Sequence, residues 1–248
     1  MKTIRMSLIA GLCLAGWACA AGGDDGSNAP AAGTNSAAPI LISKEVKMKE
    51  RQSGTWTPGL SDVEKQTLFA IARDTLAWCV KRAAGGARGA FPIESYPLTP
   101  KLKVKTATFV TLKILGDLRG CIGSLAPVEA LYQSVHHNAI NAALEDPRFP
   151  AVQPPELPRI EIDVSILSPI RDIASLDEFK PGQMGIILAK GMRRAVYLPE
   201  VAVEQGWSKE ETLSSLSRKA GLPADAWKKD AKFQVFESVV LSLDEEEK

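Results

Sequence analysis

One cysteine of this chain sits among glycines behind an arginine, in Leu118-Arg119-Gly120-Cys121-Ile122-Gly123-Ser124. Once ionised, a thiol is a nucleophile or redox group, and a nearby guanidinium favours the thiolate. That makes Cys121 the candidate catalytic residue. Gly120 and Gly123 lack a Cβ, so a ligand or another backbone can approach closely there. Further along, Asp146-Pro147-Arg148-Phe149-Pro150 offers a second guanidinium on a turn, and Lys219 adds a third cation.

Three chemistries fit these residues. Arg119, Arg148 and Lys219, with the amides around Gly120 and Gly123, can hold a small anionic ligand or a peptide segment. Cys121 with Arg119 beside it can act in thiol catalysis, provided the strand stays regular enough for residues two apart to share a face. Alternatively Arg148 pairs with Asp146 or Glu145 to hold a turn, Lys219 answers a helix C-terminus, and Cys121 is inert.

Several classes are excluded. Gly120-Cys121-Ile122-Gly123 lacks the Gly-Lys-Ser/Thr ending of a nucleotide loop. His136 and His137 are helix neighbours that diverge by about 100°, so they cannot share a metal face. No metal-ligand spacing is present, and no cofactor is expected. The balance of 30 basic and 29 acidic residues, with 6% aromatics, gives no electrostatic or stacking case for nucleic acid.

These residues need elements to position them. Hydrophobic content of 45% over 248 residues suffices for one sizeable core, possible as two lobes. Ser61-Asp62-Val63-Glu64 is a capping box that opens a helix with Leu68, Ala72, Leu76 and Cys79 on its apolar stripe, ending at Gly85-Gly86. Cys79 reads as a small core hydrophobe. Residues 106–115 read as a strand, Gly116-Asp117 as a hairpin turn, and 118–122 as the returning strand. Pro127 marks a helix start, with Val128, Leu131, Val135, Ala139 and Ala142 buried. Asn138, at the edge of that stripe, must find partners. Clamping the Asp146-Pro147-Arg148 turn is preferred over facing a ligand.

Ile160, Ile162, Val164 and Ile166 alternate with polar residues as a one-faced strand, which suits an antiparallel sheet. A second hairpin runs over 184–198 with its turn at Lys190-Gly191. Ser208-Lys209-Glu210-Glu211 opens another helix that stops at Gly221. A short helix over 224–227 and one last strand over 233–243 complete an α+β pattern.

The leader has Lys2 and Arg5 before an apolar run over 6–18, too short to span a membrane but suited to an export signal. Residues 1–20 are therefore expected as a signal peptide, ending at Ala18-Cys19-Ala20 or at Cys19 as a lipidated residue. Residues 21–60 are expected as a flexible tether, running at least to about 55, and 61–248 as the domain. The expected location is outside the cytoplasm of a bacterium, periplasmic or lipid-anchored. There Cys79 and Cys121 could also form a disulfide.

The motifs together resemble a known family. Phe109-Val110-Thr111-Leu112 with Leu118-Arg119-Gly120-Cys121-Ile122-Gly123 is similar to the AMMECR-type domain, also called AmmeMemoRadiSam system protein A. So, in order, are Asn138-Ala139 with Ala142-Ala143, Asp146-Pro147-Arg148-Phe149-Pro150, Glu156-Leu157 and Val164-Ser165-Ile166-Leu167. Leu198-Pro199-Glu200-Val201-Ala202 with Gly206-Trp207, and Lys219-Ala220-Gly221-Leu222 with Ala226-Trp227, extend the match over residues 62–243. The resemblance implies two unequal lobes with a cleft between them, and a Memo-type protein and a radical SAM enzyme as partners. It centres any enzymatic or regulatory role on Arg119, Gly120 and Cys121. Glu200 departs from the glutamine the family often carries. Export would separate the chain from a cytosolic radical SAM partner.

Overall fold

The computed structural model describes residues 47–243. Strands β1 (Met48–Gln52), β2 (Thr108–Ile114), β3 (Asp117–Gly123), β4 (Ile160–Leu167) and β9 (Ser238–Leu243) form a five-stranded antiparallel sheet in the order β1-β9-β4-β2-β3. Helices α1 (Asp62–Ala83) and α2 (Leu131–Leu144) cover one face. Leu68, Ile71 and Val135 from the helices meet Val110, Leu112 and Val164 from the strands, all fully buried. Each such side chain stabilises the fold by about 1.5–3 kcal/mol of transfer free energy.

Strands β5 (Arg171–Asp172), β6 (Gly185–Lys190), β7 (Arg193–Tyr197) and β8 (Lys232–Phe236) form a second antiparallel sheet, ordered β5-β8-β6-β7. Helix α4 (Lys209–Lys219) lays Leu213 and Leu216 on Ile186, Leu188 and Val235, and the short α3 (Pro199–Glu204) follows β7. Together these give the expected α+β fold of two unequal lobes. A third cluster joins them: Phe109, Cys121 and Leu167 from the first sheet pack with Ile187, Val196 and Phe236 from the second.

Local chemistry explains where elements begin and end. Ser61 and Glu64 form the capping box of α1, and Ser208 and Glu211 that of α4. Helix α2 starts at Leu131 rather than at Pro127, because Ala130 is extended and bridged to Lys105, and Val128, expected on the buried stripe, is exposed. Thr106 N–H donates to Glu129, and Leu131 N–H to Val104. The first hairpin turns on Leu115-Gly116, one residue earlier than expected, with φ of 53° and 81°. Two positive φ values make the tight turn whose twist matches its strands.

Two differences are larger. Residues 48–52, inside the expected tether, pair with β9 as an edge strand, with Arg51 opposite Val240. Their polar composition suits an edge and hid the strand. The expected final strand is two, broken at Glu237, so that Phe236 ends one sheet and Ser238 begins the other. Ser168 enforces the break: its hydroxyl accepts the Glu237 N–H at 2.9 Å, and its own N–H donates to the Glu237 carbonyl at 2.9 Å.

Candidate functional site

Strand β3 is an edge strand, so the backbone groups of alternate residues point away from the sheet and need partners. At Cys121 they find Asp146 and Arg148. The Cys121 N–H donates to Asp146 Oδ2 at 2.8 Å, and Arg148 Nη2 donates to the Cys121 carbonyl at 3.0 Å. The same guanidinium is bidentate on Asp146, with Nε to Oδ1 at 2.9 Å and Nη2 to Oδ2 at 2.6 Å. An aspartate–arginine pair thus stands in for a missing strand. Burial alone would raise the Asp146 carboxyl, but Arg148 and the amides of Cys121 and Arg148 outweigh it and hold the pKa below the usual range.

The thiol-bearing strand and the Asp146-Pro147-Arg148 corner therefore do converge, but on backbone atoms. Arg148 faces its own aspartate, as in the structural alternative, instead of an open anion site. Arg119 is also committed: Nε and Nη2 fork onto Glu156 at 2.7 and 3.1 Å, which lowers the Glu156 pKa. A bulge between Leu112 and Lys113 shifts the β2–β3 register. It puts two residues, Arg119 and Gly120, between Leu118 and Cys121, which pack into the same cluster. Regular alternation is lost, and the distance in sequence between Arg119 and Cys121 does not make a pair. Lys219 donates to the Val196 carbonyl at 2.9 Å and lies 4.5 Å from the Tyr197 ring centre, answering the other lobe's edge strand β7.

Asn138 does not clamp the turn. Its amide donates to the Thr108 carbonyl and hydroxyl at 3.1 and 2.9 Å, because α2 crosses the start of β2 there. Gly120 and Gly123 serve packing. A Cβ on Gly120 would lie 2.2 Å from the Ala142 carbonyl, and one on Gly123 would lie 2.3 Å from the Phe109 ring.

The Cys121 thiol is buried, 7% exposed, and accepts a hydrogen bond from the Thr111 hydroxyl at 3.2 Å. Burial pushes its pKa up, so it is a neutral thiol near pH 7 and not a ready nucleophile. Cys79 and Cys121 are both free. They belong to different cores, Cys79 in the helix-covered core and Cys121 in the cluster between the sheets, so the bridge does not form. His136 is half-buried against Thr75, and His137 pairs with Glu129 at 2.6 Å. Among the described residues no group of histidine, cysteine or carboxylate side chains could hold a metal.

A different set of polar residues gathers on the sheet face opposite α1 and α2. Cys121, Thr111 and Asp163 are in register across β3, β2 and β4. Asp163 Oδ2 accepts from both Lys113 Nζ at 2.9 Å and Arg51 Nη2 at 3.0 Å. Glu200, from α3 of the other lobe, interacts electrostatically with Cys121, Lys113 and Arg51, and burial raises its pKa. Sequence reasoning read Asp163 as part of a solvent face and gave Arg51 to the tether. The alternation of Glu161, Asp163 and Ser165 carried the face, but neither the strand register nor the approach of Glu200.

Comparison with known proteins agrees with this fold. The AMMECR1 family model matches residues 69–241. Protein MK0488 of Methanopyrus kandleri is 41% identical over 165 residues, covering 62% of this chain and 80% of that protein. Protein MJ0810 of Methanocaldococcus jannaschii is 43% identical over 143 residues, 54% of this chain and 70% of that one. The crystal structure of uncharacterized protein PH0010 from Pyrococcus horikoshii superimposes with a TM-score of 0.66 at 31% identity, covering 74% of this chain and 93% of that chain.

These relatives are archaeal, which overturns the expectation of a bacterial, periplasmic or lipid-anchored protein. That expectation rested on a short apolar run, and short runs also occur in ordinary buried segments. The run, the expected signal peptide and Cys19 lie outside the described residues. Among the described residues, no helix is long and apolar enough to cross a membrane. With the model matched over most of the domain and the same architecture in a relative of known structure, this chain belongs to the AMMECR1 family.

Proposed function

We propose that this domain binds a small anionic ligand, without thiol catalysis, in the seam between the polar face of the first sheet and α3. The observation behind this reading is the convergence of Arg51 and Lys113 on one oxygen of Asp163. Two cations share that one oxygen, so each is only partly neutralised by it. Burial favours the neutral acid at Glu200, and a neutral carboxyl can donate a hydrogen bond to an anion. The anion chemistry expected of Arg119 and Arg148 thus passes to Arg51 and Lys113, since the former pair is spent on Glu156 and Asp146.

The test is thermal unfolding with acetate, succinate, phosphate and pyrophosphate at constant ionic strength. At least one should raise Tm for the wild type and for Cys121→Ser, and not for Lys113→Gln. Equal responses in wild type and Lys113→Gln, or none, would refute the seam. Loss of the response in Cys121→Ser alone would return the thiol to the centre of the function.

A further inference from the structure

The chain passes between the two sheets twice, at Ser168-Pro169-Ile170 and at Glu237, and the crossings lie side by side. Beside them is a cavity of about 200 Å³. Trp56 walls it from the first lobe, Met184 and Arg171 from the second, and Phe236 and Glu237 from the crossing itself. Its lining is mainly apolar with two charged groups, and these are not equivalent. Arg171 Nη1 is paired with Glu178 at 2.8 Å, which matches its charge. Glu237 has no cation within ion-pair distance among the described residues.

The Glu237 carboxylate is also held in place. Oε2 accepts the Trp56 backbone N–H at 2.6 Å. A side chain at Gly54 would overlap the carboxyl carbon, at 2.3 Å from an added Cβ, so the carboxylate packs directly against that backbone. Oε1 has no hydrogen-bond partner among the described residues. A fixed carboxylate with one open oxygen, next to an indole and a phenyl ring in a mostly apolar hollow, is the chemistry that recognises an organic cation.

We infer that this cavity is a second binding site, separate from the seam, which takes a small organic ammonium with its charge on Glu237 Oε1. Size sets the scale: a cavity of about 150 Å³ admits benzene, so the ligand carries no more than one ring or a short alkyl chain. The occupant touches both lobes at the two crossings and would tie them together.

Calorimetric titration of the protein with benzylammonium, using benzyl alcohol as the neutral isostere, tests the site. Saturable binding of the ammonium is expected, weakened roughly tenfold or more in Glu237→Gln. Glutamine keeps an acceptor for the Trp56 amide. Met184→Trp, which fills the hollow and leaves Glu237 intact, should also abolish binding. Lys113→Gln should change nothing, which keeps this site distinct from the seam. Butylammonium and Nα-acetyl-lysine amide, run in parallel, tell by the tighter of the two whether the ammonium is free or carried on a protein. No saturation by about 10 mM, or equal affinity in wild type and either cavity variant, overturns the inference.

Discussion

Replacing Asp146 by alanine removes the carboxylate that replaces a strand at the edge of β3. Asp146 is 4% exposed and accepts from the Cys121 amide, the Arg148 amide and the Arg148 guanidinium. Its loss removes the carboxylate that the Arg148 guanidinium, whose side chain is 19% exposed, grips with Nε and Nη2. Breaking a buried pair on one side costs about 3–5 kcal/mol, against about 1–3 kcal/mol for one unsatisfied buried amide. These losses share the same groups and do not add, so about 4 kcal/mol is expected.

For a urea slope of about 2 kcal/mol per molar, the denaturation midpoint falls by about 2 M. Tryptophan fluorescence at pH 7.5 follows it. Asp146→Ala/Arg148→Ala should lose less than the sum of the two single variants, because each single variant already removes the interaction the two side chains share. The native pKa of Asp146 lies below its unfolded value. Its contribution is therefore complete above the usual carboxylate range and lost as pH falls through the lowered native value. A midpoint shift under about 0.5 M, or fully additive single variants, would refute the edge-clasp account.

Leu115→Asn should stabilise the fold by about 0.5–1 kcal/mol: Leu115 holds a positive φ while 81% exposed, and asparagine before glycine suits this turn. An unchanged urea midpoint would contradict the strain assigned there. His136 is half-buried against Phe91 and Thr75, and that desolvation, with His137 nearby, lowers its pKa from 6.5 to about 4. Its folded value is depressed, so stability is complete above about pH 6.5 and declines as pH falls towards 4. That difference is worth about 3 kcal/mol unscreened and about 1 kcal/mol at pH 5 for a half-exposed ring. Denaturation of wild type and His136→Gln at pH 7.5 and 5.0 should differ by that amount in their pH dependence, and parallel curves would contradict it.

Periodicity carried the first-lobe helices, β4 and both capping boxes because each of these signals is local. Ser61 meets Glu64 three residues away, and Ile160 to Ile166 alternate within one strand. What escaped the sequence depends on partners distant in the chain. Strand β1 gains its pairing only from β9, and Glu237 breaks a continuous β-rich run only because Ser168 takes its amide. Arg119 and Cys121, two residues apart, part company at a bulge that no residue type announces. Asn138 shows the limit most directly: the need for partners was legible, but the partner, Thr108, depends on where a helix crosses a strand.

The residues that carry the family resemblance most strongly are largely occupied in holding the backbone. Gly120 makes room for the Ala142 carbonyl, and Gly123 for the Phe109 ring. Arg119 joins β3 to Glu156, and Asp146 with Arg148 satisfies the edge at Cys121. Each role is met by a close packing contact, a main-chain hydrogen bond or an internal ion pair. Together they account for much of the Arg-Gly-Cys-Ile-Gly and Asp-Pro-Arg segments without a ligand. The clasp uses only the N–H and carbonyl of residue 121, so it does not explain why a thiol stands there. The Cys121 side chain instead points to the polar row with Thr111 and Glu200. A motif can therefore identify this fold while its polar residues are spent on the backbone, and on the proposed reading Arg51, Lys113 and Glu200, and not Arg119 and Arg148, are the groups on which a functional assay should turn.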